Sequence, residues 1–170
     1  MPQCIGSQVM PDSFLDPRLL ELIYQSVLEP DQWSRALATI THSFRGHHAF
    51  LFTNKNSRAA VPFAQTTGLT SSDLARYFSP EGIGMWAPWP AKCPPRGAAA
   101  QHEMISDRDF ERLDVYNEII KPTGGFHASF IQRDDADLSF HVAVCRTKRE
   151  GQFSDEEIRK LQAISPHISI

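Results

Sequence analysis

The chain has 170 residues and a formal net charge of −3, with 41% hydrophobic and 22% charged residues. This length suits one globular domain with a complete apolar core. A DNA- or RNA-binding domain is normally basic, so the acidic balance argues against direct nucleic-acid binding. The sequence has no apolar run long enough to span a membrane. Its three cysteines are scattered and odd in number, so no disulfide framework is expected. The expected compartment is therefore the reducing cytoplasm.

Two amphipathic helices are predicted after a loose N-terminal arm over residues 1–12. Leucine, isoleucine and valine recur at i, i+4 spacing over residues 16–28, which is the period of a helix with one apolar face. Pro30 ends this helix, and a second apolar series follows over residues 33–44. We therefore expect two consecutive helices with a short break between them.

Two β-hairpins are predicted from short runs of apolar and aromatic residues. Residues 47–54 and 61–67 form the first hairpin, and Pro62 places its second strand at a sheet edge. Residues 126–133 and 138–146 alternate in character and form the second hairpin around an acidic turn. This alternation of residue types is typical of strands whose two faces pack against different surroundings.

The remaining segments are predicted to be mostly helical. A short helix covers residues 70–78, a loop rich in tryptophan and proline covers 80–104, and a helix begins at Ser106. The last helix covers residues 154–170, with a kink at Pro166 because proline removes a backbone hydrogen bond. The order α-α-β-β-α-loop-α-β-β-α predicts an α+β fold in which helices flank an antiparallel sheet.

The second hairpin is predicted to have two different faces, with Phe130 opposite His141 across a four-residue turn. The first face carries His127, Ser129, Ile131, Phe140, Val142 and Val144, and the second carries Phe126, Ala128, Phe130, His141, Ala143 and Cys145. The aliphatic first face is expected to pack against the terminal helices. The second combines aromatic and small residues with one histidine, a composition typical of a small-molecule pocket. The same residues also pack well beneath a helix.

No constellation in the sequence predicts catalysis or metal binding. His47 and His48 are adjacent on a strand and point to opposite faces. His141 and Cys145 are too far apart along their strand to share one ion. Cys93 lies between basic residues, which leaves a thiol-based enzyme open as an alternative. We predict no catalytic residues, no metal and no cofactor.

Five motifs occur in order over residues 16–170. They are LIYQSVLEPDQW at 22–33, WAPW at 86–89, YNEIIKPTG at 116–124, GQFSDEE at 151–157 and PHI at 166–168. Together they resemble the N-terminal sensor region of LuxR-type helix-turn-helix transcriptional regulators. The resemblance implies a GAF/PAS-like sensory domain over residues 13–170 that acts on DNA only through a C-terminal helix-turn-helix domain not present in this chain.

We therefore expect a cytoplasmic, ligand-sensing and dimerising regulatory domain. A small organic molecule would lie between the sheet and the loop that contains Trp86 and Trp89. The predicted ligand-binding residues are Phe50, Phe52, Trp86, Trp89, Tyr116, Phe126, Phe130 and His141. The alternative is a ligand-free module for protein–protein interaction. A homodimer would form through an exposed apolar stripe of the first and last helices. Its residues to test are Ile158, Leu161, Ile164 and Ile168.

Overall fold

The computed structural model describes residues 15–55, 58–89, 92, 97–134 and 138–168, so the predicted arm over residues 1–12 lies outside it. The helices are α1 (Pro17–Leu28), α2 (Trp33–Ser43), α3 (Ser71–Tyr77), α4 (Pro80–Trp86), α5 (Gln101–Met104), α6 (Asp107–Phe110) and α7 (Asp155–Ile164). The strands are β1 (His48–Lys55), β2 (Arg58–Thr67), β3 (Gly97–Ala100), β4 (His127–Asp134) and β5 (Leu138–Arg146). A π-helical turn covers Val115–Ile120, and short 3-10 turns cover Pro30–Gln32, Lys121–Thr123, Lys148–Glu150 and Ser165–His167.

The strands form one sheet in the order β2-β1-β5-β4-β3, and every pairing is antiparallel. The predicted α+β class, with helices flanking an antiparallel sheet, is confirmed. The strand that contains Pro62 lies at an edge, as expected for a residue that cannot donate to a ladder. The GAF/PAS-like type stays a prediction. In the described ranges, no helix combines the length and the apolar character that a membrane span requires.

Alternate residues of the central strands enter two separate cores. Ala49 and Leu51 of β1 join the core on the face of α1, α2 and α7, whereas Phe50 and Phe52 join the core on the other face. The predicted division of the second hairpin into an aliphatic and an aromatic face is confirmed in the same way.

The register of the second hairpin differs from the prediction by two residues. Phe130 lies opposite Ala143 instead of His141, and Ala128 lies opposite Cys145. Because side chains alternate with a period of two, a shift of two residues leaves each side chain on its predicted face.

The predicted loop over residues 80–104 contains two helices and a strand. Helix α4 begins at Pro80, and the Ser79 hydroxyl oxygen accepts a hydrogen bond from the Gly82 backbone N–H at 2.9 Å. A Cβ at Gly82 would lie 2.1 Å from the Arg76 carbonyl oxygen, so glycine permits the close contact between α3 and α4. Serine followed by proline is a helix start, and the proline-rich composition concealed it.

The predicted helix from Ser106 is divided into two pieces. Ser106 caps α6 through a hydrogen bond from the Asp109 backbone N–H at 3.2 Å, but α6 ends at Phe110. The chain becomes helical again only in the π-helical turn. The apolar positions therefore face the sheet from two short segments instead of one continuous helix.

Helix α7 ends at Ile164, and a 3-10 turn that contains Pro166 follows. The predicted kink is therefore a helix end, because proline lacks the N–H that would continue the hydrogen-bond ladder. The turn lies on the sheet: the Arg133 guanidinium donates to the Pro166 carbonyl oxygen, and to the Ile168 carbonyl oxygen at 3.2 Å.

The predicted exposed stripe on the last helix is wrong. Leu161 and Ile164 are 0% exposed and Ile168 is 1% exposed, and all three fill the core between α7 and the sheet. Ile158 is half-buried against the same core. An amphipathic helix has one apolar face, and here that face covers the chain's own sheet.

A buried arginine joins α2, β5 and α7. Arg146 is 0% exposed, and its Nε and Nη2 donate to the Phe44 carbonyl oxygen at 2.9 and 2.6 Å. Its Nη1 donates to the Gln152 carbonyl oxygen at 3.0 Å, and its Nη2 to a Glu157 carboxylate oxygen at 2.5 Å. Burial alone would raise the pKa of Glu157, but hydrogen bonds from Arg146 and from the Ser154 backbone outweigh it and lower the pKa to about 2.

We expect Arg146→Met to lower the free energy of unfolding by about 3–5 kcal/mol, because it strands a partly buried carboxylate and two carbonyl groups. Arg45→Met is the matched control. Arg45 reaches the same carboxylate at 3.4 Å, but its side chain is 68% exposed, so its loss should cost about 0–1 kcal/mol. Urea unfolding measures both free energies. Equal losses of stability in the two variants would contradict the role of Arg146 as the buried link between α2, β5 and α7.

Acid should weaken the ion pair between Glu157 and Arg146. Its folded pKa of about 2 lies below the ordinary value of 4.5, so its carboxylate stabilises the fold above pH 4.5. This contribution is lost as the pH falls from 4.5 towards 2. We expect Glu157→Gln to be less stable than the wild type at pH 7 and to approach it in stability near pH 2. Parallel stability curves over this range, measured by urea unfolding, would refute the prediction.

Candidate ligand-binding site

A small apolar cavity lies between the aromatic face of the sheet and the layer formed by α3 to α6 and the π-helical turn. Its volume is about 30 Å³, which is room for roughly one water molecule. The sheet contributes Phe50 from β1, Ala128 and Phe130 from β4, and Cys145 from β5. Ala128 and Cys145 lie opposite each other in the ladder, so two small side chains leave the space between the larger rings.

Two tryptophans form part of the opposite wall, and they are held differently. Trp86 is 6% exposed, and its indole Nε1 donates to the Tyr77 carbonyl oxygen at 2.6 Å. Trp89 is half-buried and meets the Phe110 ring edge-on, with the centroids 6.1 Å apart. The Lys92 Nζ lies 4.2 Å from the centroid of the Trp89 ring. Trp86 is therefore a fixed wall, whereas Trp89 is the less constrained one.

The predicted loop that contains these tryptophans is only partly described. Trp86 belongs to α4, and residues 90, 91 and 93–96, including Cys93, lie outside the described residues. Four of the predicted ligand-binding residues line the cavity, namely Phe50, Trp86, Trp89 and Phe130. The structure brings these four together from three separate parts of the chain.

The other four predicted residues lie behind this lining. The Phe52 ring contacts Trp86 at a centroid distance of 4.7 Å. Tyr116 and Phe126 pack against Phe110, with centroid distances of 5.1 and 5.8 Å. In this arrangement they support the rings that line the cavity.

His141, expected as the polar group that orients a ligand, stacks on Phe52 with the ring centroids 4.6 Å apart. The side chain is buried, and burial lowers its pKa to about 4, which Asp134 only partly opposes. His141 is therefore uncharged at pH 7, and it does not line the cavity as the structure stands.

Seven lining residues were not among the predicted ligand-binding residues: Tyr77, Gln101, Phe110, Val115, Ile120, Ala128 and Cys145. Ala128 and Cys145 lie on the hairpin face that the sequence marked as a pocket. Phe110 and Ile120 occupy apolar positions of the predicted helix after Ser106, so the sequence pattern indicated that they would be buried. No sequence pattern indicated that Gln101 would be buried, because it lies in the segment predicted to be a loop.

The described lining of the cavity carries no charge and includes one residue with an unpaired buried polar atom. None of the described side chains in it is a carboxylate or a basic group. Burial raises the pKa of Tyr77 above its usual value and raises the pKa of Cys145 to about 12, so both stay protonated at pH 7. Gln101 is 3% exposed, and its Nε2 has no hydrogen-bond partner in the described part of the chain.

The site does not have the features of a metal or thiol centre. Within the described ranges, no three histidine, cysteine or acidic side chains are close enough to hold a metal ion. A nucleophilic cysteine needs a lowered pKa, whereas burial raises the pKa of Cys145. The arrangement is suited to binding an apolar body by shape.

No protein-family model matches the chain, and no curated protein matches it either. Several solved structures are similar to it. The VqsR LBD domain from Pseudomonas aeruginosa has 15% sequence identity and a TM-score of 0.62, covering 88% of this chain and 88% of that chain. CepR2 from Burkholderia cenocepacia, an N-acylhomoserine lactone dependent LuxR family transcription factor, has 12% identity and a TM-score of 0.58, covering 89% of each chain. At these identities the similarity shows a shared fold.

Proposed function

We propose that this chain is the ligand-sensing domain of a LuxR-type transcription regulator and binds a small organic molecule in the cavity described above. The observation that carries the proposal is an apolar space, lined by aromatic rings, above two small residues of a sheet that is otherwise tightly packed. The shared fold supports it, since VqsR and CepR2 have domains of this fold, and CepR2 depends on an N-acylhomoserine lactone.

Ligand entry requires the cavity to expand. A volume of about 30 Å³ holds roughly one water molecule, whereas small-molecule sites usually measure about 300–1,000 Å³. Trp89 is the wall that can move at the lowest cost, because it is half-buried and its described contacts are a ring edge and a lysine. Movement of Trp86 would break the hydrogen bond to the Tyr77 carbonyl oxygen.

Strand β4 connects the cavity to the end of the described chain. Phe130 lines the cavity, and Arg133, three residues further along, holds the carbonyl groups of Pro166 and Ile168. A ligand that displaces Phe130 would alter β4 and so bias the position of residues 165–168. Such a population shift requires that the ligand bind the two arrangements with different affinities.

In this proposal the domain is a cytoplasmic, GAF/PAS-like binding unit and not an enzyme. It acts on DNA only through a C-terminal helix-turn-helix domain outside these 170 residues. The net charge of −3 supports this division, because a surface of that sign does not attract nucleic-acid phosphates. A raised pKa at Cys145 opposes a thiol-based enzyme that uses this cysteine, whereas Cys93 lies outside the described residues.

Filling the cavity should remove ligand binding. We expect native mass spectrometry of the protein purified from cells to show a non-covalent adduct that disappears on denaturation. Ala128→Val adds two methyl groups at the cavity floor and should lose the adduct. Ala75→Val adds the same groups on the exposed side of α3 and should retain it. An adduct that survives in Ala128→Val would place the ligand elsewhere.

The alternative function is a ligand-free dimerisation module, and a homodimer is also part of our main proposal. Because the predicted stripe on α7 is buried, the surface must be another one. Tyr24 and Leu28, one helical turn apart on α1, are the large hydrophobic residues that are exposed in the described ranges, at 53% and 84%. This pair is our candidate for the contact.

We expect light scattering to give a dimer of the 19.2 kDa chain. Leu28→Glu should shift it to a monomer because it places a charge in the apolar contact. Gln25→Glu adds a charge to an exposed position on the same helix and should leave the dimer intact. A dimer that persists in Leu28→Glu would exclude this surface, and a dimer that never binds a ligand would favour the alternative function.

A further inference from the structure

We infer that the ligand of this cavity is an uncharged, planar carbonyl compound whose oxygen accepts a hydrogen bond from the amide nitrogen of Gln101. The inference rests on the proposed function and specifies the chemical class of the ligand. It is carried by the coincidence of an unpaired buried amide, an uncharged lining and aromatic walls at one place.

Gln101 lines the cavity, and its buried amide nitrogen has no hydrogen-bond partner among the described residues. The described residues contain six side chains with such unpaired buried atoms, and Gln101 is the one among them that lines the cavity. An unpaired buried donor destabilises a folded protein, and most buried polar groups are therefore paired. A ligand oxygen in the cavity would supply the missing acceptor.

Two hydrogen bonds hold the backbone at Gln101 in place. Gln101 is the first residue of α5, where the Ala100 N–H donates to the Glu103 carboxylate at 2.6 Å. At the other end of this short helix, the Ile105 N–H donates to the Gln101 carbonyl oxygen at 3.0 Å. A donor on a fixed turn can orient a ligand without the loss of conformational entropy that ordering a mobile loop would require.

The lining excludes a charged ligand. Among the described residues it contains no carboxylate and no basic side chain. The titratable groups described there, Tyr77 and Cys145, are protonated at pH 7 because burial raises the pKa of each. A carboxylate or an ammonium group placed there would lose its hydration without gaining a counter-charge. The amide nitrogen of Gln101 supplies N–H donors but no counter-charge.

The aromatic walls favour a planar body. The Phe50 and Trp86 ring centroids are 6.1 Å apart, and Trp89 meets Phe110 at an interplanar angle of 89°. Rings at these distances present both faces and edges, which attract a planar ring through complementary quadrupoles. The displacement of Trp89 that ligand entry requires would open a slot beside the Phe110 ring.

Three probes of similar size test the inference: acetophenone, ethylbenzene and benzoate, titrated at pH 7 and followed by protein NMR. Acetophenone and ethylbenzene differ mainly in the carbonyl oxygen, and benzoate carries a charge. We expect acetophenone to bind about tenfold more tightly than ethylbenzene, the usual contribution of one hydrogen bond of this kind. Benzoate should bind more weakly than either.

The variant Gln101→Leu removes the amide and keeps a side chain of similar size. It should bind both neutral probes with equal affinity, at the level of ethylbenzene in the wild type. Gln132→Leu is the matched control, because Gln132 is also buried but does not line the cavity. It should keep the tenfold preference for acetophenone.

A second measurement needs no ligand. We expect Gln101→Leu to raise the urea midpoint of the free protein, because an apolar group replaces an unpaired donor. Gln132→Leu should lower the midpoint, because the Gln132 Nε2 donates to the Asp134 carboxylate at 3.1 Å. A lowered midpoint in Gln101→Leu would show that the amide has a structural partner, and it would overturn the inference.

The binding outcomes separate this inference from the function it rests on. Equal affinity of the wild type for acetophenone and ethylbenzene would overturn the assignment to Gln101 but leave the cavity as a binding site. Tighter binding of benzoate would overturn the uncharged ligand class. Failure of both neutral probes to bind would contradict the inference and the proposed function together.

Discussion

Burial of both faces of the central strands is the constraint on which the rest of this structure depends. Strands β1, β5 and β4 lie inside the sheet, and each sends alternate side chains into two different cores. A strand buried on both faces cannot slip by one residue without exchanging its two sets of side chains. The sheet therefore separates a layer that stabilises the domain from a layer that holds the cavity.

The two cores are built in different ways. The core beneath α1, α2 and α7 is rich in leucine, isoleucine and valine, and Arg146 joins α2 to α7 at its edge. The core on the other face is covered by helices of four to seven residues and a π-helical turn. Aromatic rings are rigid, so a small gap remains where Ala128 and Cys145 of the sheet face this layer. Under our proposal, this gap is where a ligand would enter.

The cavity combines features that favour binding over catalysis. Its thiol and phenol are protonated, its described lining carries no charge, and the unpaired nitrogen of Gln101 belongs to an amide that does not titrate. A catalytic site usually brings together groups whose pKa values are moved towards neutrality. Here burial moves the pKa values of Tyr77 and Cys145 away from neutrality. Under our proposal, shape and one hydrogen bond would therefore select the ligand.

The sequence alone determined the features that depend on local patterns. Period-two alternation predicted the two faces of the second hairpin, and serine or threonine caps predicted the starts of α3, α6 and α7. Tertiary structure decided how distant segments meet. Gln101 reaches the cavity only because β3 extends the sheet beside β4, and the apolar face of α7 covers this chain's own sheet instead of a partner. Periodicity shows that a helix has an apolar face, but which surface covers it depends on contacts between residues far apart in the sequence.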